Sequence, residues 1–338
     1  MKRMLCRLAA MLCALILCVS CACAEMQEYE VTFFNVFDTF SRIAVYAPSQ
    51  AQAQTWCQMA YTVLLECHRL YDIYNDYEGV TNLKTLNDTA AQGPVAVDGR
   101  IMDLLAYARD MYDLTGGRTN VAMGAVLRLW HDARDTGVLP DAQALQAAAE
   151  HTDISDLVLD QQAGTVFFAD PELKLDVGAI AKGYATELAA LALEEAGVTS
   201  GLLSIGGNVR IIGVKPDGSP YRAGIQDPNV PDGSTTIAVV ELNDQSLVTS
   251  GDYQRYIEVD GVRYHHIIDP DTLMPAAHMR SVSVRTHHSG LADALSTALF
   301  TLPLEDGLAL VESLEDVEAV WITAEETMVC SSGIAPVE

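Results

Sequence analysis

The chain has 338 residues, half of them hydrophobic, and carries 46 Asp and Glu against 20 Lys and Arg, which gives a formal net charge of −26. So large an excess of negative charge repels the phosphates of nucleic acids and anionic lipids, and it excludes nucleic acid as a partner. A chain of this length without low-complexity tracts can bury a substantial core, in one large domain or in two intimate ones.

The chain begins with the pattern of a secretory signal peptide. Three basic residues precede the apolar run Leu8–Val19, and small residues follow as far as Ala24. An apolar run of about twelve residues is too short to span a bilayer, which takes a helix of about 20. We therefore interpret residues 1–24 as a signal peptide and residues 25–338 as an exported domain, which faces the periplasm or the exterior of the cytoplasmic membrane.

Two processing routes fit this leader. Cleavage after Ala24, at an A-x-A-like site, would leave Glu25 as the first residue. Lipidation of Cys21 would instead anchor the protein to the outer leaflet of a membrane. Cys18 stands three residues before Cys21, where a lipoprotein signal usually has leucine, and this slightly favours plain cleavage.

The cysteines do not have the pattern of a disulfide scaffold. Five of the eight lie in the leader, which leaves Cys57, Cys67 and Cys330. Cys57 and Cys67 lie in one predicted helix, about 15 Å apart along its axis, beyond the roughly 7 Å that a disulfide spans. We interpret them as small buried hydrophobic residues, and a bond from Cys330 to one of them is the alternative.

Helices and strands are both predicted along the exported domain. Apolar residues recur at helical spacing over Ala51–Tyr74, Arg100–Leu114, Ala181–Ala196 and Ala292–Leu302. Short apolar runs, many of them bounded by turn residues, predict strands at Leu157–Leu159, Val166–Phe168, Leu202–Ile205, Val209–Val214, Ile237–Leu242, Tyr256–Val259 and Val282–Val284. The adjacent strand–turn–strand pairs favour an α+β architecture of mixed strands and helices over a regular doubly wound sheet.

In the first of four segments that carry chemistry, a strand passes into a helix through glycine. The segment reads Leu-Asp-Val-Gly-Ala-Ile-Ala-Lys-Gly-Tyr over residues 175–184. Gly178 lets the backbone approach a ligand closely. The N–H groups that open the helix carry positive partial charge and Lys182 adds a full one, so the segment suits a pyrophosphate. Taken alone, a tight turn with a solvated lysine explains it as well.

The second segment is Leu203–Arg210, in which Gly206 and Gly207 interrupt an apolar strand. The two glycines free the backbone to bend or to admit a planar group. A β-bulge explains them equally well.

The third segment is a polar loop predicted at Val248–Tyr253, which a predicted hairpin connects to the pair His265-His266. The hairpin brings the histidines toward the loop. A histidine can accept a proton from an alcohol near neutral pH, and Asp252 or Asp269 would orient it. Binding of zinc is the alternative role for these histidines. The cysteines are distant in sequence and no H-x-x-x-H spacing is present, so we do not expect a zinc site.

The fourth segment is the predicted helix 292–302, where Asp293 and Thr297 stand at i and i+4 on one face. A carboxylate and a hydroxyl one turn apart offer two hard oxygen ligands, which suit Mg²⁺ that holds substrate phosphates. The alternative is that Asp293 interacts with the helix dipole and that Thr297 has no role.

Taken in this order, the segments resemble the bacterial FAD:protein FMN transferases, a family once described as thiamine-biosynthesis lipoproteins. The resemblance runs from about Phe34 to about Cys330, and four matches in the order of the family are hard to obtain by chance. Its most specific parts are Leu175–Ala185, Ser250–Tyr253, His266–Pro270 and Ala292–Leu299.

The resemblance implies roles for thirteen residues. It implies that the backbone carbonyl of Ala179 joins Asp293 and Thr297 around Mg²⁺, with Ser296 in the same shell. His266 matches the catalytic histidine. The residues implied to hold or border FAD are Phe37, Tyr74, Arg118, Thr119, Asn120, Asp176, Lys182 and Ile267.

Two positions depart from the pattern of the family. Its usual Met-Gly-Thr appears as Phe37–Thr39, and Asn120 stands where the family has an acidic residue. These departures bear on FAD affinity more than on the type of reaction, because they leave Lys182, Asp293 and His266 in place.

The activity that the resemblance implies is Mg²⁺-dependent transfer of FMN from FAD to a threonine hydroxyl of an acceptor flavoprotein or redox-complex subunit, with release of AMP. FAD and Mg²⁺ would share a groove of one large domain or between two intimate subdomains. Two alternatives stay open: an FAD pyrophosphatase, in which water replaces the acceptor hydroxyl, and a flavin-binding lipoprotein without catalytic activity.

Overall fold

One antiparallel sheet of eight strands organises the chain. The computed structural model describes residues 25–230 and 233–335, so the predicted signal peptide lies outside the described residues. All neighbouring strands in the sheet are antiparallel. In spatial order they are β1 (Gln27–Val36), β2 (Thr39–Ala47), β6 (Ser200–Ile205), β7 (Asn208–Gly213), β10 (Ser246–Gly251), β13 (Met279–Thr286), β14 (Glu318–Thr323) and β15 (Met328–Cys330).

The remaining strands form three small sheets. A three-stranded sheet has the order β3, β5, β4, and two hairpins pair β8 with β9 and β11 with β12. Their bounds are β3 (Val95–Ala96), β4 (Leu157–Asp160), β5 (Thr165–Phe168), β8 (Tyr221–Gln226), β9 (Thr236–Leu242), β11 (Tyr256–Val259) and β12 (Val262–His265).

The described residues form eight α-helices and one short 3₁₀ turn, Ile154–Asp156. No helix among them is long and apolar enough to cross a membrane. The helices are α1 (Gln50–Tyr71), α2 (Leu83–Thr89), α3 (Gly99–Leu114), α4 (Gly124–Thr136), α5 (Ala142–Ala149), α6 (Ala181–Glu195), α7 (Ser289–Thr301) and α8 (Leu304–Glu312).

Helices α1, α6 and α7 lie side by side against the large sheet. Helix α1 packs on β2 and α6, α6 packs on α7 and β7, and α7 packs on β10 and β13. The first cluster of core residues includes Ile43, Leu64 and Ala189, and a second includes Phe300 and Trp321. This layer brings the first turns of α6 and α7 together, and the candidate site lies at that contact.

The α+β prediction is confirmed, and each predicted helix is present with shifted ends. The first ends at Tyr71 because Asp72 has extended backbone angles and its carboxylate accepts the backbone N–H groups of Tyr74 and Asn75. The last begins at Ser289, where the His288 side chain caps the helix by accepting the N–H of Leu291.

The prediction of a polar loop at Val248–Tyr253 is wrong for most of that segment, because the residues as far as Gly251 belong to β10. Thr249 and Ser250 are tolerated in a half-buried strand because each hydroxyl has a partner. Thr249 Oγ1 lies 2.7 Å from Ser283 Oγ, and Ser250 Oγ lies 2.8 Å from Ser296 Oγ.

The glycine pair is a hairpin turn and not a bulge. Gly206 and Gly207 have φ of 55° and 93° and connect β6 to β7, with Ile205 paired to Asn208. A two-residue turn with positive φ at both positions matches the twist of the strands it joins. A Cβ on Gly206 would also lie 2.5 Å from Thr39 Oγ1, so the turn packs closely against the start of β2.

The three cysteines in the described part of the chain are free. Cys57 and Cys67 are buried in α1 and Cys330 is half-buried. Burial raises the pKa of each thiol, and that of Cys67 to about 11. The interpretation of Cys57 and Cys67 as small hydrophobic residues agrees with this placement.

Candidate active site

The residues that the sequence singled out converge on one cavity of about 480 Å³, a size typical of small-molecule sites. Twelve of the thirteen line it, although they come from six segments of the chain. They are Phe37, Tyr74, Arg118, Thr119, Asn120, Asp176, Ala179, Lys182, His266, Ile267, Asp293 and Thr297.

Ser296 is the exception. The expectation that it belongs to the shell of a metal ion is corrected by the structure. It is fully buried and does not belong to the lining of the cavity. Its hydroxyl donates to the carbonyl oxygen of Asp293 at 2.9 Å and contacts Ser250 Oγ at 2.8 Å. At i+3 from Asp293 the side chain turns back onto its own helix, so it supports α7 from behind the cavity.

The contact between α6 and α7 depends on Gly183. A Cβ at this position would lie 2.4 Å from the carbonyl oxygen of Ser289 and 2.5 Å from Cβ of Asp293. With glycine there, the helices approach closely enough for the Gly183 N–H to donate to Asp293 Oδ2 at 2.7 Å. The first turn of α6 thus fixes the carboxylate of α7 through its backbone.

Asp293 is a buried carboxylate with little compensation for its charge. Burial raises its pKa, and the nearby Lys182 and the Gly183 N–H oppose that shift. Lys182 Nζ lies 3.8 Å from Asp293 Oδ1, beyond hydrogen-bonding distance. A bound cation would stabilise the ionised form of such a group.

The donors around Asp293 fit Mg²⁺. The Thr297 hydroxyl, the Ala179 carbonyl and the Asp293 carboxylate are hard oxygen ligands that face one cavity. Asn208 also faces it, and its side-chain amide opposes the rise in the pKa of Asp293. Among the described residues no three His, Cys, Asp or Glu side chains form a cluster that could hold a metal.

His266 is held by backbone. Its N–H donates to the carbonyl of Arg255 at 3.1 Å, and its Nδ1 lies 3.2 Å from the same oxygen. Because a carbonyl only accepts, Nδ1 carries the proton and Nε2 keeps its lone pair. Burial lowers the pKa of His266 to about 3, and the positive charges of Arg255, Lys182 and Arg134 add to the effect. The imidazole is therefore neutral at pH 7, and its Nε2 is free to accept a proton.

The prediction that Asp252 or Asp269 orients His266 is wrong. Asp252 pairs with Arg280 at 2.6 Å, and Asp269 pairs with Arg118 at 3.1 Å. Both carboxylates thus neutralise arginines, and the Arg255 carbonyl takes their expected place.

The segment Arg118–Asn120 is held in the wall by contacts on both sides. Arg118 bridges Asp269 and Asp271, at 3.1 and 2.5 Å. Thr119 Oγ1 donates to the carbonyl of Ala294 in α7 at 2.8 Å. Asn120 uses its amide within the protein, since Nδ2 donates to the Thr152 carbonyl and Oδ1 accepts the Ala122 N–H.

The turn that replaces the family's Met-Gly-Thr has an unusual backbone. Phe37 and Asp38 both have positive φ, 52° and 49°. Aspartate tolerates this region better than most residues, whereas for Phe37 it is strained. The Phe37 N–H donates to His68 Nδ1 at 3.2 Å, and the two rings pack edge to face. The structure brings Phe37 to the cavity as expected.

Sequence reasoning missed several lining residues. Helix α4 was not predicted, and the cavity is lined by its residues Leu127, His131 and Arg134 and by Met123, which directly precedes it. The spacing i, i+4, i+8, i+11 is the stripe of one helix face and was the available signal. Arg255 also lines the cavity.

Arg134 and Arg255 carry charges without a carboxylate partner. Neither lies within 4 Å of a carboxylate in the described ranges, although acidic residues far outnumber basic ones. Burial lowers the pKa of Arg134, and the charge of Arg255 adds to the effect. Unpaired cations that face one cavity, together with Lys182, favour an anionic ligand.

Known proteins resemble the chain over nearly its whole length. A model of the ApbE family matches residues 37–321. The FAD:protein FMN transferase of Treponema pallidum is 34% identical, over 97% of this chain and 94% of that protein. The ApbE protein of Thermotoga maritima superposes with a TM-score of 0.82 at 29% identity, over 90% of this chain and 97% of that one. The flavin transferase ApbE from Vibrio cholerae gives 0.77 at 27% identity, over 91% and 98%. The chain therefore belongs to the ApbE family.

Proposed function

We propose that this chain is an Mg²⁺-dependent FAD:protein FMN transferase, which moves FMN from FAD to a threonine hydroxyl of an acceptor protein and releases AMP. One observation carries the proposal: Lys182 and Asp293 line the same cavity as a neutral His266. A cation, a carboxylate suited to Mg²⁺ and a free base are the groups that transfer at phosphorus requires, because such transfer depends on positioning and charge neutralisation. Relatives that cover nearly the whole chain are named for this activity.

The diphosphate of FAD would lie where α6 begins. The first N–H groups of a helix have positive partial charge, and Lys182 Nζ faces the same cavity. When bound, Mg²⁺ would be held by Asp293, Thr297 and the Ala179 carbonyl and would offset the negative charge of the diphosphate. Lys182 adds positive charge from the protein itself, close to the start of α6.

His266 would act as the general base. Its Nε2 accepts the proton of the threonine hydroxyl, whose oxygen attacks the phosphorus of the FMN half of FAD. The bond from that phosphorus to the bridging oxygen breaks, and AMP leaves with the bridging oxygen and its electron pair. The Arg255 carbonyl accepts the Nδ1–H of His266 throughout, so it holds the ring and stabilises the imidazolium that forms.

The flavin ring would lie against the apolar part of the lining. Ile73, Met123 and Leu127 form that part, with the ring of Tyr74 beside them. A planar aromatic ring buries its faces well against such side chains, whereas the diphosphate requires the polar part near Lys182.

The test is mass spectrometry of a threonine-containing acceptor domain of the family type, incubated with the protein, FAD and Mg²⁺. A gain of one FMN on the acceptor, about 438 Da from the chemical formula less water, is expected and should disappear with EDTA. Release of FMN and AMP in equal amounts without an adduct would show a pyrophosphatase instead. If FAD stays intact in every sample, although the acceptor is known to be competent, the protein binds flavin without catalysing transfer or hydrolysis.

We also propose that the protein is exported and that residues 1–24 are removed as a signal peptide. The basic start, short apolar run and small residues before Glu25 support export. The intact mass of the protein purified from its native membrane and soluble fractions tests both routes. A mass that begins at Glu25 supports plain cleavage, and a lipid-modified Cys21 supports an anchor. An unprocessed cytoplasmic chain would contradict export.

A further inference from the structure

Tyr74, His131 and Asp176 form a row along one wall of the cavity. Tyr74 Oη lies 2.8 Å from His131 Nδ1, and the two ring centroids are 5.7 Å apart. On the other side of the imidazole, His131 Nε2 lies 3.7 Å from Asp176 Oδ2. Asp176 Oδ1 accepts the N–H of Gly178 at 2.8 Å. The row therefore connects an exposed aromatic side chain to the glycine loop that precedes α6.

The charge of Asp176 selects the tautomer of His131. A carboxylate beside Nε2 favours a proton on that nitrogen, which leaves the Nδ1 lone pair to accept the hydrogen bond of the Tyr74 hydroxyl. At 3.7 Å the contact with Asp176 is electrostatic rather than a direct hydrogen bond. Burial lowers the pKa of His131 although Asp176 opposes that shift, so the neutral ring that accepts from Tyr74 persists at pH 7.

Tyr74 requires a partner to keep its ring in place. It follows the end of α1, outside any helix or strand, and is 57% exposed. Asp72 Oδ1 accepts its backbone N–H at 2.6 Å, which fixes the main chain but not the ring. Among the described residues, His131 is the group that binds the phenol hydroxyl. An exposed side chain without such a bond must be ordered when a ligand arrives, and this ordering weakens binding.

We infer that His131 is a positioning residue for the flavin ring, which acts through Tyr74. The inference rests on the proposed function, because only a protein that binds FAD in this cavity would have a flavin beside the ring of Tyr74. His131 holds the tyrosine ring in the orientation that contacts the flavin. His131 belongs to α4, and Leu127 of the same helix also lines the cavity, so the aromatic and apolar parts of the wall keep one spacing.

The test compares two probes, FMN, which contains the flavin ring, and ADP, which lacks it. We expect His131→Phe and Tyr74→Phe each to raise the Kd of FMN about 5-fold, as loss of one hydrogen bond does. The double variant should also raise it about 5-fold, because both changes remove the same bond. The Kd of ADP, measured by calorimetry, should stay within about 2-fold in all three.

Two further variants separate positioning from a general structural role. His131→Gln keeps an amide oxygen that can accept from Tyr74, so it should restore the Kd of FMN to near the wild-type value. Asp132→Asn, next along α4 and paired with Arg128 at the surface, should leave both Kd values unchanged. If His131→Phe does not fold, Tyr74→Phe and His131→Gln carry the test, since only Tyr74→Phe should weaken FMN.

Three outcomes would overturn the inference: multiplied effects, about 25-fold, in the double variant; equal weakening of ADP and FMN; or no recovery in His131→Gln. These are distinct from failure of the proposed function. A wild-type protein that binds neither FAD nor FMN would overturn both. A wild type that transfers FMN while the two changes act independently would overturn the role of His131 alone.

Discussion

Two walls of the cavity are built in different ways. The inner wall lies at the contact of α6 with α7, where Asp293 is buried and a backbone N–H holds its carboxylate. Its residues are Ala179, Lys182, Asp293 and Thr297, and the N–H of Gly183 holds the Asp293 carboxylate from behind this wall. The outer wall consists of side chains that reach the cavity from separate elements. Its residues are Tyr74, His131, Arg134 and Arg255.

The difference concerns how each wall tolerates change. A Cβ on Gly183 would overlap backbone 2.4 Å away, so the inner wall allows one geometry. In the outer wall Tyr74 is more than half exposed and Arg255 is exposed, so single changes there leave the packing intact. We expect the inner wall to determine whether transfer occurs and the outer wall to determine how well the substrate binds.

The largest effect is expected for Asp293→Asn. The change keeps the shape but removes the charge that would hold Mg²⁺, so the FMN transfer rate should fall by roughly 10³-fold. Stability should change little or rise, because burying a carboxylate costs free energy that an amide avoids. Transfer assays across a Mg²⁺ titration, with a melting curve, measure both. Transfer at the wild-type rate would remove Asp293 from the metal site.

The next effect is expected for His266→Gln, which removes the base. General base catalysis contributes about 10²–10⁴-fold, and we expect the lower end of that range, so kcat should fall by about 10²-fold while the Kd of FAD stays near its wild-type value. A matching fall in FAD affinity would show that His266 binds substrate rather than accepting a proton.

The pH dependence of wild-type kcat/KM tests the same residue. The pKa of His266 is lowered to about 3 in the folded protein, so the unprotonated base persists as pH falls and is lost only near that value. The groups that face it are Arg255, His265, Lys182 and Arg134, and all of them disfavour its protonated form. Between pH 8 and pH 5 we expect no fall in kcat/KM with the midpoint of a histidine of ordinary pKa. An acid limb with a midpoint near about 6.5 would contradict this environment.

Gly183→Ala should separate packing from helix propensity. Alanine in place of glycine normally stabilises a helix by about 1 kcal/mol, but the added Cβ would meet Ser289 and Asp293, and overpacking costs about 1–3 kcal/mol. We expect a net loss of stability and a transfer rate lower by tens of fold, because Asp293 would move. Gly99→Ala is the matched control, since a Cβ there meets nothing within 4 Å. It should leave activity intact, and equal melting temperatures for both variants would refute the close helix contact.

The inner wall could be predicted from sequence because its chemistry is local. Gly178, Lys182 and Gly183 lie within one segment, and Asp293 and Thr297 lie one turn apart on a helix whose apolar stripe is regular. Even there, spacing was not sufficient. Ser296 has a suitable hydroxyl, but the turn of the helix directs it to the carbonyl of Asp293.

Of the outer wall, the family resemblance gave Tyr74, but His131, Arg134 and Arg255 could not be predicted because the contacts of this wall join distant parts of the chain. His131 reaches Tyr74 across 57 residues, and no local pattern marks that pair. Helix α4 was missed because charged residues obscure its stripe, and β1 was missed because most of its residues are exposed at the sheet edge. The carboxylates expected at His266 were assigned by proximity in sequence, whereas Arg118 and Arg280 compete for them in the folded protein.

The smallest effect, and the one that tests the outer wall most directly, is expected for Arg134→Gln. Arg134 has no carboxylate partner among the described residues, so its charge attracts the anionic ligand. The Kd of FAD should therefore rise about 3- to 10-fold at low salt, and by less at high salt, where the charge is screened in the wild type as well. Removing its repulsion with Arg255 should leave stability unchanged or raise it by a few tenths of a kcal/mol. Arg128→Gln, at an exposed position of the same helix and paired with Asp132, is the control and should alter neither. FAD titrations at about 50 and 300 mM NaCl measure the difference. A Kd that rises equally at both salt concentrations would mean that Arg134 contributes shape rather than charge, and the two walls would then differ in flexibility alone.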